Sequence, residues 1–162
     1  MRIFVAVFIC FILSPIAYSQ ELAHWKYPNG VPSLSPLNAG AGSPRLALAI
    51  TNLDDFTVSI LDLRIETDPD ASCYIDVKNA PPSIRDISPA KINGKFVKMV
   101  SICLGNGGVI TPKTKEGRAY LKEVVMGGDS VDIYLTDKVH IEFPASDINE
   151  MKRKASELSS AM

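Results

Sequence analysis

The sequence predicts a mainly β protein: an antiparallel β-sandwich or barrel-like domain with one C-terminal α-helix, behind a cleaved signal peptide. Three observations predict it. An apolar run follows Arg2 and ends in a box of small residues. Between Leu46 and Phe143, short stretches alternate apolar with polar residues and are separated by Gly, Pro, Asn and Asp. After Pro144 the apolar period lengthens from two residues to between three and four.

Residues 1–19 have the parts of a secretory signal: Arg2, an apolar stretch over residues 3–13, and Ala17-Tyr18-Ser19 as the cleavage box. Cleavage after Ser19 leaves Gln20 at the new N-terminus. A membrane-spanning helix needs about 20 apolar residues; this run is shorter and Pro15 breaks it, so no membrane span is expected in the mature chain. Cys10 lies inside the run, after Phe8-Ile9, where lipid attachment would require small residues before a cysteine at its end. Residues 20–45 form a lead segment rich in Pro, Gly and Ser. It carries His24-Trp25-Lys26-Tyr27, the one aromatic-dense spot of the mature chain. Trp25 and Tyr27 are therefore candidate partner-binding residues, since exposed aromatics favour interfaces. The plainer role for Trp25 is to pin the segment onto the domain.

Residues 46–162 make a single domain. Residues 46–50 are a short apolar strand, and Asn52-Leu53-Asp54-Asp55 is a turn. Over residues 57–66 the apolar parity slips between Val58/Ile60 and Leu61/Leu63/Ile65, which predicts a β-bulge near Ile60-Leu61. Cys73, Ile75 and Val77 share one face of a further strand. Asn93-Gly94 is a two-residue hairpin signal. Residues 96–104, apolar on both faces, read as a central strand. Residues 111–126 fit either element: Thr111-Pro112 suggests a helix start, but Gly117 would cost a helix about 1 kcal/mol, and the balance falls to a strand. Val131 to Leu135 and Val139 to Phe143 alternate cleanly around Thr136-Asp137-Lys138 and form the final hairpin. The terminal helix spans 147–159, with Asp147 and Glu150 as a capping box and Ile148, Met151, Ala155 and Leu158 as its apolar stripe.

Of three cysteines, Cys10 leaves with the signal, and the remaining two, Cys73 and Cys103, are expected to pair in an oxidising compartment. Closing a loop of about 30 residues stabilises the fold by roughly 2–4 kcal/mol. Their spacing excludes a CxxC redox motif. The full chain has 17 Lys and Arg against 18 Asp and Glu. Losing Arg2 with the signal leaves 16 against 18, a formal charge of −2. Near balance argues against a nucleic-acid partner, which would need a basic stripe. No Asn-x-Ser/Thr sequon occurs, which is in keeping with a bacterial periplasm.

The final hairpin holds the one constellation with chemical content. A three-residue turn pairs Tyr134 with His140 and Asp132 with Glu142, all on the outward face. Directly opposed carboxylates repel, so salt, a nearby Lys or Arg, or a bound cation is expected to offset them, and Asp132, His140 and Glu142 are candidate cation ligands by residue type. The bland alternative is a solvated face with Lys138 or Lys122 nearby. Nucleophile-elbow, HExxH and phosphate-loop patterns are absent from the sequence, so no catalytic residues are assigned. The expectation is a small non-enzymatic binding or accessory protein, periplasmic or secreted, that contacts a protein partner in the cell envelope. Trp25, Tyr27 and Tyr134 are its candidate contact residues. The alternative is a metal- or ligand-binding protein using the final hairpin, and the third reading is a carboxylate-based hydrolase. No cofactor is expected beyond that possible cation.

Overall fold

A strand that alternates apolar and polar residues must hide one face, and among the described residues each strand between Ser33 and Phe143 turns at least one apolar side chain to a common interior. The structure is a computed structural model that describes residues 25–26, 32–36, 45–64, 71, 73, 81–104 and 107–161, with the side chains of 25 and 26 excepted. The elements run β1 (Trp25–Lys26), β2 (Ser33–Leu34), β3 (Leu46–Asn52), β4 (Thr57–Asp62), β5 (Ser83–Ile92), β6 (Lys95–Leu104), β7 (Gly107–Pro112), α1 (Lys115–Gly127), β8 (Val131–Thr136), β9 (Val139–Phe143) and α2 (Ala145–Ser160). The strands join in one sheet in the order β1-β2-β3-β4-β7-β6-β5-β8-β9, antiparallel at every pairing. The sheet curls into a nearly closed barrel, and of the two expected shapes the barrel-like one holds. Its core takes Leu48, Ile60, Met99 and Ile133 from the sheet, Leu121 from α1 and Met151 from α2. The signal segment, and most of the lead segment, lie outside the described residues; β1 and β2 are the parts of the lead segment that join the sheet.

Among the described residues there are two helices rather than one. The expected strand over 111–126 is a correction: β7 ends at Pro112 and α1 follows. Thr114 caps the helix, its hydroxyl accepting from the Gly117 amide at 3.0 Å. The glycine that counted against a helix is there for space. A Cβ at Gly117 would stand 3.0 Å from both Pro112 Cβ and Val97 Cγ1, so a side chain there would force these neighbours apart by a few tenths of an ångström, and glycine fits the close approach of α1 to the barrel. Leu121 and Val125 form the buried stripe of α1.

The parity slip in β4 also resolves differently. Residues 57–62 pair continuously with β3, and the register shift falls between Ile50 and Asn52 on the neighbouring strand. Val58, Ile60 and Asp62 face inward, while Leu63 is exposed. The inward Asp62 is fully buried and is matched by Arg64, whose Nε and Nη2 reach its two carboxylate oxygens at 2.8 Å each. Burial of a charge is tolerated when it is paired and hydrogen-bonded in this way.

β6 is central, as expected, with β5 and β7 on its two sides. It is not buried on both faces, however, because Phe96 is 73% exposed. Asn93-Gly94 turns β5 into β6 with φ of 42° and 83°, the positive pair that such a hairpin turn requires. Asp147 does not cap α2: the helix starts two residues earlier, Pro144 occupies the cap position, and Asp147 is buried in the first turn. Cys73 lies in a turn, and residues 74–80 of its expected strand lie outside the described residues. Its sulfur is 2.15 Å from that of Cys103, and the Cα atoms are 5.2 Å apart, disulfide-bonding distances. Both residues are buried and form a small cluster of their own beside β7.

Two predictions follow from this packing. A Cβ at Gly108 would lie 2.8 Å from Cys73 Sγ and 3.3 Å from Cys73 Cβ. Gly108→Ala should destabilise the oxidised protein by about 1–3 kcal/mol in denaturant titration, and by clearly less in a Cys73→Ala/Cys103→Ala background, where the Sγ is gone. The second concerns acid. Asp55 is held below its usual 3.8, first by the Thr57 hydroxyl, then by the Thr57 amide, with the Lys122 ammonium adding to it. A lowered carboxyl contributes stability that is present above its unfolded value and lost as pH falls through its folded value. Stability measured below about pH 4 should therefore fall less steeply in Asp55→Asn than in the native chain.

Candidate metal centre

The site is built on β8 and β9, and buried residues set its register. Val131, Ile133, Ile141 and Phe143 point inward and are at most 1% exposed. Because side chains alternate, this places Asp132, Tyr134, His140 and Glu142 outward. The pairings are Asp132 with Glu142 and Tyr134 with His140, as the sequence predicts. The turn differs in one detail. Thr136, not Leu135, pairs with Val139, and Leu135 sits at a register shift. The Thr136 hydroxyl accepts from the amides of Lys138 and Val139 at 3.2 and 3.1 Å, tightening the turn.

A residue that no sequence motif marks as functional clamps the site. Asn93, in the β5–β6 turn, accepts from the Asp132 amide through Oδ1 at 2.7 Å and donates through its own amide to the Asp132 carbonyl at 2.8 Å. Its Nδ2 donates to the Ser130 carbonyl at 3.1 Å. The hairpin signal Asn93-Gly94 was visible in sequence; that its side chain would fix Asp132 depends on a neighbour 39 positions away.

His140 answers the repulsion expected between the two acids. Its Nε2 is hydrogen-bonded to Asp132 Oδ1 and lies 3.6 Å from Glu142 Oε1. Tyr134 stacks flat on the imidazole, with centroids 4.0 Å apart and planes 5° apart. One ligand atom from each of Asp132, His140 and Glu142 falls within 4.8 Å of the others. A tetrahedral zinc site with bonds of about 2.1 Å separates its ligand atoms by roughly 3.4 Å, so small side-chain rotations bring this set into range. Two carboxylates and a neutral imidazole would balance a doubly charged ion and leave coordination positions facing solvent. Lys122, one of the expected neutralising groups, is instead bonded to the Asp55 carbonyl.

The register across four strands extends the outer face into a row: Phe96 beside Lys91, Lys91 beside Tyr134, and Tyr134 beside His140. A cavity of about 450 Å³ opens next to it, with Pro89, Lys91, Phe96, Tyr134 and Asp137 in its walls. Tyr134 is 40% exposed and serves both features. Of the other expected contact residues, Trp25 is in β1 and Tyr27 is outside the described residues.

If His140 separates the acids, removing it should expose their repulsion. His140→Ala should destabilise the fold by about 1 kcal/mol at low ionic strength. Adding Glu142→Gln to that variant should restore stability, a reversal of sign that mere loss of packing does not produce; chemical denaturation of the three proteins measures both. No protein-family model, no curated protein and no solved structure matches this chain, so the chemistry of the site carries the functional reading.

Proposed function

We propose that this chain is a small exported binding protein, periplasmic or secreted and non-enzymatic, whose outer sheet face holds one divalent cation through Asp132, His140 and Glu142. The observation that carries the reading is the convergence of three ligand atoms within 4.8 Å, from two strands whose register is locked by burial on the other face. A cysteine pair at disulfide distance is compatible with an oxidising location outside the cytosol. Hydrolysis by a carboxylate pair fits less well. Glycosidase acids stand roughly 5–9.5 Å apart around their substrate, whereas here both acids share one imidazole. The presence of an imidazole favours zinc or a similar transition ion over calcium.

Protein contact in the cell envelope is the second reading, favoured by the exposed Phe96 and Tyr134 on either side of Lys91. Calorimetric titration of chelator-treated protein with zinc, manganese and calcium chlorides tests the first. One zinc ion per chain should bind, and Asp132→Asn and Glu142→Gln should each weaken it by about tenfold or more. Zinc at about 100 times its Kd should add about 2.7 kcal/mol of stability. Unchanged titrations and unchanged stability in both variants would remove the cation reading.

A further inference from the structure

β5 is ten residues long, but only Lys91 and Ile92 pair with β8. β8 turns back into β9 after Thr136, so residues 83–88 of β5 extend past the end of the hairpin. On its β6 side this overhang is paired; on its other edge, among the described residues, no strand accompanies it. Exposure agrees. Ile84 is 73% exposed on the outer face. Arg85 is opposite the fully buried Ser101 and so points to the interior side, yet it is exposed. A register shift at residues 88–89 closes the overhang, and the cavity described above lies at that fork, between Ser88 and Pro89 on one side and Leu135, Thr136 and Asp137 on the other.

We propose that the β5 overhang accepts an extended segment of a partner protein as an added strand, with an acidic residue opposite Arg85 and an apolar residue opposite Ile84. Sheet edges bind peptides in this way: main-chain hydrogen bonds give affinity, and alternate side chains give specificity. The charge pattern sets the partner's chemistry. Asp86 is already neutralised by Lys113, whose Nζ lies 2.7 and 2.8 Å from its two oxygens. Among the described residues Arg85 has no anionic partner, and Lys91 in the cavity wall adds a second cation nearby. Directly opposed residues of an antiparallel pair share a face, so consecutive apolar and acidic residues of the incoming strand meet Ile84 and Arg85. The next side chains of that strand reach the cavity at the fork. A second copy of this chain is disfavoured in the registers that centre on the charged pair: two-fold self-pairing centred on Arg85 or on Asp86 sets like charges opposite each other. The inference rests on the protein-contact reading and is independent of the cation.

The test uses fluorescein-labelled hexapeptides of threonine with blocked ends and a central valine-glutamate or valine-lysine pair, followed by fluorescence anisotropy on the full chain. The glutamate peptide should bind about tenfold tighter than the lysine peptide, and Arg85→Glu should reverse the order. N-methylation of alternate peptide amides should abolish binding, a control that leaves the protein's own folding untouched. Binding that ignores both N-methylation and Arg85→Glu overturns strand addition while leaving protein contact elsewhere on the sheet standing. Absence of binding by every peptide overturns the inference. So does concentration-dependent dimerisation that Arg85→Glu abolishes, since it would place a second copy on the edge.

Discussion

The outer surface of this protein is arranged by what lies beneath it. Val131, Ile133, Ile141 and Phe143 are each nearly or fully buried, and burying such a side chain stabilises the fold by about 1.5–3 kcal/mol. A slip of β9 by one residue against β8 would turn Ile141 and Phe143 to water and bring His140 and Glu142 into the core. That penalty is far larger than any repulsion between two exposed carboxylates. The fold therefore tolerates an unfavourable outer pair, and the imidazole of His140 moderates it.

The same logic of space governs the two ends of the barrel. At one end α1 approaches β6 and β7 closely enough that a Cβ at Gly117 would crowd Pro112 and Val97 at 3.0 Å. Near Gly108, a turn carrying Cys73 reaches over β7 to Cys103, and Gly108 is bare for the same reason. The buried Asp62–Arg64 pair sits on the neighbouring strand, where β4 meets β7. Each feature trades a local preference for a long-range contact. Glycine is poor in a helix and in a strand, and a carboxylate is poor in a core, yet each is stable once its partner is in place.

This explains what could be read along the chain. The final hairpin was legible down to its Asp132–Glu142 and Tyr134–His140 pairings, because alternation and a short turn are properties of neighbouring residues. The Asn93-Gly94 turn was legible for the same reason. α1 was misjudged because Gly117 answers to Pro112 and Val97, and Val97 is 20 positions away. The bulge assigned to Ile60-Leu61 failed because Leu61 and Leu63 lie on the face opposite Ile60 despite being apolar, Leu63 being exposed, while Asp62 turns inward beside Arg64. Asn93 as a clamp on Asp132, and the β5 overhang, depend on which strands become neighbours. Alternation alone does not specify that order.

Strand order also decides how the two proposed sites relate. β5 contributes Lys91 to the row that ends at His140, and six residues earlier it contributes Arg85 to the open edge. Both sites thus stand on one continuous antiparallel sheet and share the wall of a single cavity through Tyr134 and Pro89. Sites carried on strands are held more exactly than sites on loops, and a ligand meeting them has little backbone to order. Binding then loses less to conformational entropy than it would on mobile segments. A small barrel with one short β8–β9 hairpin and one longer β5 strand creates this arrangement through unequal strand lengths. The hairpin's outer face gathers Asp132, His140 and Glu142, and the length by which β5 exceeds it leaves the edge.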